Sequence, residues 1–86
     1  MYSVELSQNS AKFLEKLDKH ISDRIKEKLK SLSDNPIPSD SKFITREDNN
    51  KIFRTRIGEF RAPYKVKDKE KIVLIAKIDK RPRVYQ

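Results

Sequence analysis

Cysteine is absent from this 86-residue chain, and glycine and histidine each occur once. Without cysteine there is no disulfide framework and no thiolate metal site, and a reducing compartment suits the chain. The lone glycine, Gly58, excludes a glycine-rich phosphate loop. The lone histidine, His20, lies far in sequence from the basic residues discussed below and reads as a solvated or structural side chain. Acidic residues are scattered without metal-ligand spacing, so no metal and no cofactor are expected. No apolar run approaches the roughly 18 residues needed to cross a bilayer. The start, Met1-Tyr2-Ser3-Val4-Glu5-Leu6, lacks the basic-then-apolar pattern of a signal peptide. The expectation is one soluble cytoplasmic domain over residues 1–86, with no membrane contact.

What the chain has is positive charge, unevenly placed. The formal net charge is +8. Residues 1–40 carry seven Lys/Arg and seven Asp/Glu, whereas residues 41–86 carry fourteen and six. A neutral half joined to a strongly basic half points to a scaffold and a polyanion-facing surface. Lys65, Lys67, Lys69 and Lys71 flank a probable turn at Asp68 and also fit a solvated strand edge.

Periodicity divides the chain. Residues 2–6 alternate as a short strand, and Ser7 or Asn9 can cap the helix that follows. Phe13, Leu14, Leu17, Ile21, Ile25, Leu29 and Leu32 recur at steps of three and four, one apolar stripe. We read two helices that break near Lys19-His20, with Ser22 capping the second. Pro36 and Pro38 end the helical region. Residues 37–50 read as polar and irregular, with a turn at Asp48-Asn49-Asn50. The period then becomes two. Strands are expected at 51–57, 60–67 and 71–78, the last looking buried on both faces, while Pro63 signals a bulge or an edge. The fold expected is α+β: one strand, a two-helix hairpin, then an antiparallel three-stranded meander packed on the helices.

The chemistry gathers at Phe53-Arg54-Thr55-Arg56-Ile57-Gly58-Glu59-Phe60-Arg61. Alternation puts Arg54 and Arg56 on one face and Phe53 and Ile57 on the other. A two-residue type II′ turn at Gly58-Glu59 would pair Ile57 with Phe60 and set Arg56 against Arg61. Like charges so opposed cost roughly 0.2–1 kcal/mol, a cost a chain accepts where an anion will enter the gap. Guanidinium forks bind phosphate oxygens through two parallel bonds, so arginine here suggests phosphate. Arg81, Arg83 and Tyr85 close the chain, and the tyrosine ring could stack on an unpaired base.

With these motifs the chain resembles the RelE/ParE superfamily of toxins from toxin–antitoxin pairs. Its element order, Asn35-Pro36 after the helices, the arginine hairpin and the Lys-Arg-Pro-Arg-Val-Tyr ending fall where that family has its signatures. The ending favours the RelE branch, whose members resemble small microbial ribonucleases and cleave mRNA in the ribosomal A site. The resemblance implies that Arg54 and Arg56 contact the scissile phosphate and Arg61 stabilises the transition state. It gives Arg81 leaving-group protonation and Tyr85 substrate orientation. Lys51, Lys80 and Arg83, as neighbouring cations, are expected to add phosphate contacts. It also implies partners: a RelB-like antitoxin in a heterodimer or heterotetramer, the ribosome with its mRNA, and operator DNA through the antitoxin complex. Arg56 stands where some relatives have a lysine proposed as general base, and arginine is a poor base. Pro63 and Pro82 stiffen segments close to the site, and the Arg81-to-Tyr85 spacing is slightly tighter than in some relatives. Two other readings stay open: a ParE-like inhibitor of DNA gyrase acting as a binding module, and a non-catalytic nucleic-acid-binding domain.

Overall fold

The computed structural model describes residues 1–80. Strand β1 (Ser3–Leu6) leads into helices α1 (Gln8–Glu15) and α2 (Lys19–Lys30) and a 3₁₀ turn at Ser31–Ser33. Five strands follow: β2 (Lys42–Glu47), β3 (Asn50–Ile57), β4 (Phe60–Lys67), β5 (Ile72–Ile75) and β6 (Asp79–Lys80). They form one mixed sheet in the order β1-β5-β4-β3-β2, with β6 on β4 beyond the end of β5. The class is α+β, with β1 parallel to β5 and the remaining pairs antiparallel.

The apolar stripe closes the core on one face of the sheet. Leu14, Ile25, Leu29 and Leu32 pack with Phe53, Ile57, Phe60, Ala62, Tyr64, Val66, Val73, Ile75 and Ile78. Phe13 meets Phe60 edge-on with centroids 5.9 Å apart. The segment after the helices is tied down where Tyr64 Oη donates to the Pro36 carbonyl at 2.7 Å.

Capping differs from expectation at the second helix. Ser7 does cap α1: its Oγ accepts from Ser10 N at 3.1 Å and donates to the Ala76 carbonyl at 2.8 Å. The break between the helices comes earlier than Lys19-His20, since α1 ends at Glu15 and α2 begins at Lys19 with Asp18 as its N-cap. Ser22 lies inside α2 and is buried, so it caps nothing. His20 is exposed, as its solvated reading required.

The segment read as irregular contains β2, so the meander has four consecutive strands, β2 to β5, rather than three. All six β2 residues are exposed on the sheet edge, and pairing with β3 shifts register between Phe43 and Thr45. That bulge breaks the two-residue alternation that would have revealed the strand. The turn joining it to β3 has positive φ at Asp48 (52°) and Asn49 (65°), as a two-residue type I′ hairpin demands.

The strand expected at 71–78 is interrupted. The Pro63 carbonyl accepts from Ala76 N at 3.0 Å, but the proline nitrogen has no hydrogen to return. Pairing with β4 lapses there and resumes at Asp79 opposite Arg61. Nor is the strand buried on both faces: Val73 and Ile75 are buried, Ile72 and Leu74 half-exposed.

The arginine hairpin forms in the expected register, Ile57 opposite Phe60 and Arg56 opposite Arg61. Gly58 has φ +59°, and Glu59 is not among the residues with positive φ, which fits a type II′ turn. A Cβ at Gly58 would lie 3.1 Å from an Arg24 Nη, the far end of a flexible side chain. Gly58→Ala should therefore destabilise the domain by about 1–2 kcal/mol, chiefly through the left-handed backbone, as a urea midpoint at unchanged m-value would measure.

Candidate functional site

Strand alternation and register lay out the face of the sheet opposite the helices as a grid. One row runs Asp79–Arg61–Arg56 across β6, β4 and β3, and the next runs Pro63–Arg54–Lys42 across β4, β3 and β2. A third row carries Leu74, Lys65 and Ile52. The hairpin end of this face thus gathers four cations, Lys42, Arg54, Arg56 and Arg61, with the Asp79 carboxylate beside Arg61. Farther along, Lys65 is held by Glu47 at 2.7 Å, which lowers the Glu47 carboxyl and raises the Lys65 ammonium from their ordinary values.

Arg54, Arg56 and Arg61 are brought together as the hairpin pattern indicated. Arg54 is half-buried, and its Nε is buried with no hydrogen-bond partner among the described residues. A guanidinium N–H in that state is costly until an acceptor arrives. Arg61 carries an ion pair of its own. Its Nε donates to Asp79 Oδ1 at 3.0 Å, with side-chain exposures of 35% and 27%, and Lys77 Nζ lies 3.5 Å from Asp79 Oδ2.

Two predicted contacts lie elsewhere. Lys51 pairs with Val66, so it stands on the helix-side face, away from Arg54 and Arg56. Lys80 pairs with Phe60 and shares that face as well. Lys51 differs in parity from Arg54 and Arg56 on its own strand, and Lys80 stands one residue beyond Asp79, which faces Arg61. Arg81, Arg83 and Tyr85 lie outside the described residues. The sequence reading missed Lys42 because β2 went unrecognised. It missed Asp79 because the Pro63 interruption hides how the chain after β5 realigns on Arg61. Among the described residues, no group of three or more His, Cys, Asp or Glu side chains could hold a metal ion. None of their helices is long and apolar enough to cross a membrane.

Asp79 offsets part of the Arg56–Arg61 repulsion and fixes Arg61 from its Nε side. The pair is partly solvated, so its own contribution lies within about 0–1 kcal/mol. Asp79→Asn should leave the fold intact and strengthen binding to single-stranded RNA. The slope of log K against log salt should steepen by up to about 0.7, one additional phosphate contact. An unchanged slope would mean that Asp79 does not restrain Arg61.

A small α+β domain with an arginine-rich sheet face has the charge pattern of proteins that engage polyanions. The family model for the ParE toxin of type II toxin–antitoxin systems, parDE, matches residues 4–85. A curated Methanocaldococcus jannaschii protein named "Putative toxin RelE1" is 33% identical over 86 residues, covering 99% of this chain and 96% of that one. The archaeal RelE–RelB complex from Pyrococcus horikoshii contains a chain that superimposes with TM-score 0.87 at 28% identity, covering 96% and 98% of the two chains. The toxin–antitoxin complex RelBE2 from Mycobacterium tuberculosis gives TM-score 0.76 at 27% identity, covering 93% and 98%. The chain belongs to the RelE/ParE superfamily of type II toxins.

Proposed function

We propose that this toxin is an endoribonuclease that cleaves mRNA in the ribosomal A site and so halts translation. The observation that carries this reading is the juxtaposition of Arg56 and Arg61, directly opposed across the hairpin, with Arg54 alongside on the same face. The reaction is attack of a ribose 2′-oxygen on the adjacent phosphorus. The new O–P bond closes a 2′,3′-cyclic phosphate, the P–O5′ bond breaks, the 2′-hydroxyl proton is lost, and the 5′-oxygen takes up a proton. Negative charge builds on the phosphorane oxygens, where preorganised guanidiniums stabilise it most. Arg61, held from behind by Asp79, and Arg56 across from it suit that task. Arg54, half-buried beside them on β3, adds a third positive charge to the phosphate site. From the family resemblance, Arg81 would protonate the leaving oxygen and Tyr85 would orient the nucleotide, with Arg83 as a further phosphate contact.

A cluster built of arginines lacks a good base, so the in-line geometry of the 2′-oxygen must come from the ribosome. The free protein is therefore a feeble nuclease on naked RNA. In the cytoplasm a RelB-like antitoxin would cover the basic face, consistent with the RelE–RelB complexes the fold resembles. The pair would bind its operator DNA through that complex. Primer extension on mRNA from a reconstituted translation system tests the proposal: cuts in phase with codons and dependent on translation are expected. Intact message would overturn it.

A second reading follows from the family description itself, which names ParE toxins. ParE-like action would make the same face a binding module for DNA gyrase, and cells would show DNA damage while their mRNA stayed whole.

A further inference from the structure

The open face is not uniformly polar. Ile52, Pro63 and Leu74 are half-exposed there on neighbouring strands, and no described helix covers them. Lys65 lies between Ile52 and Leu74 in the same row, and its side chain is only 17% exposed. Its methylene stem fills the floor while the ammonium is drawn aside to Glu47 at 2.7 Å. The result is a depression of about 520 Å³ floored by Ile52, Pro63, Leu74 and the Lys65 stem, with Glu47 and Lys77 at its rim. It opens beside the row that holds Arg54. Adjacent rows stand two residues apart along a strand, roughly 6.7 Å, a distance comparable with the reach from a phosphate to its own base.

We propose that this depression is a nucleobase subsite, holding one base of a single-stranded RNA whose phosphate lies on Arg54 and Arg56; this rests on the reading of the arginine face as an RNA site. A planar base would lie on the apolar floor, where stacking is indifferent to sequence. Its edge would meet the Glu47 carboxylate, which accepts from exocyclic amino groups, and the Lys65 ammonium, which donates to ring nitrogen and carbonyl acceptors. Charge complementarity favours this occupant. The row that carries Arg54 and Lys42 adjoins the depression through Pro63, and Lys77 lies on its rim. A polyanion that alternates phosphates with flat apolar rings matches cations set beside an apolar floor.

The test compares the full chain's binding to a labelled single-stranded RNA hexamer and to the same ribose-phosphate backbone without bases, by fluorescence anisotropy at low salt. The base-bearing strand should bind about tenfold more tightly. Leu74→Ser should bring the two strands to the same affinity. Ile52→Ser serves as the second variant should Leu74→Ser fail to fold. Arg56→Ala should weaken both strands together and preserve their ratio. Equal affinity of the unmodified protein for the two strands, or a ratio untouched by the floor substitutions, overturns the subsite while leaving the arginine site standing. Binding indifferent to Arg56→Ala overturns the arginine site itself. Capture of an acidic peptide that depends on Leu74, with no preference for bases, makes the depression a protein-docking groove and overturns the proposal.

Discussion

Arg61→Ala is expected to slow mRNA cleavage on programmed ribosomes by 10²–10³-fold under single-turnover conditions. That factor corresponds to roughly 2.7–4 kcal/mol of transition-state stabilisation, the usual loss when one preorganised donor to a developing oxyanion is removed. Arg61 is firmly held in place, because its Nε is bonded to Asp79 while β4 sets it against Arg56 on β3. Arg61→Lys should recover only part of the rate, since an ammonium keeps the charge but not the planar fork. The substitution leaves the core untouched, so the thermal midpoint should move by only a few degrees. A rate within threefold of the unmodified toxin would remove Arg61 from the chemistry.

Tyr64→Ala should have the largest effect on stability, about 3–5 kcal/mol. A domain of this length has about 4–13 kcal/mol in all, so the variant approaches unfolding at physiological temperature. Tyr64 is fully buried, stacks on Phe53 with centroids 5.9 Å apart, and anchors the post-helical segment through the Pro36 carbonyl. Tyr64→Phe keeps the ring and loses the hydroxyl with its bond to the Pro36 carbonyl, a cost of about 0.5–1.5 kcal/mol. The two variants separate packing from bonding in a single urea series. Burial also raises the Tyr64 phenol above its ordinary value. The folded chain therefore holds this proton more tightly than the unfolded one. The associated stability is intact below pH of about 10 and is lost as pH rises through the folded value. Alkaline unfolding should be less steep in Tyr64→Phe.

Much of this fold is visible in the sequence because local signals agree with tertiary ones. The Gly58-Glu59 turn, the alternation on both sides of it and the apolar residues at 53, 57 and 60 all specify one register, and with it the opposition of Arg56 and Arg61. The elements that escaped reading are those where two rules conflict. In β2 a bulge breaks the alternation, and the strand buries nothing that would mark one face. Beyond β5, Pro63 on the neighbouring strand forces an interruption that no residue of the 71–78 segment announces. Asp79, the acid against Arg61, was hidden for that reason. Lys51 and Lys80 were grouped with the arginines by charge. Alternation along β3 alone places Lys51 on the helix side, whereas Lys80 reaches that side only through the realignment after Pro63.

The proposed chemistry is tested most directly by the ends of the RNA fragments made on translating ribosomes. Attack by the 2′-oxygen on guanidinium-bound phosphate predicts 2′,3′-cyclic phosphate on the upstream fragment and 5′-hydroxyl on the downstream one, with both yields falling together in Arg61→Ala. Fragments ending in 3′-hydroxyl and 5′-phosphate, or message that survives while DNA is broken, would contradict it.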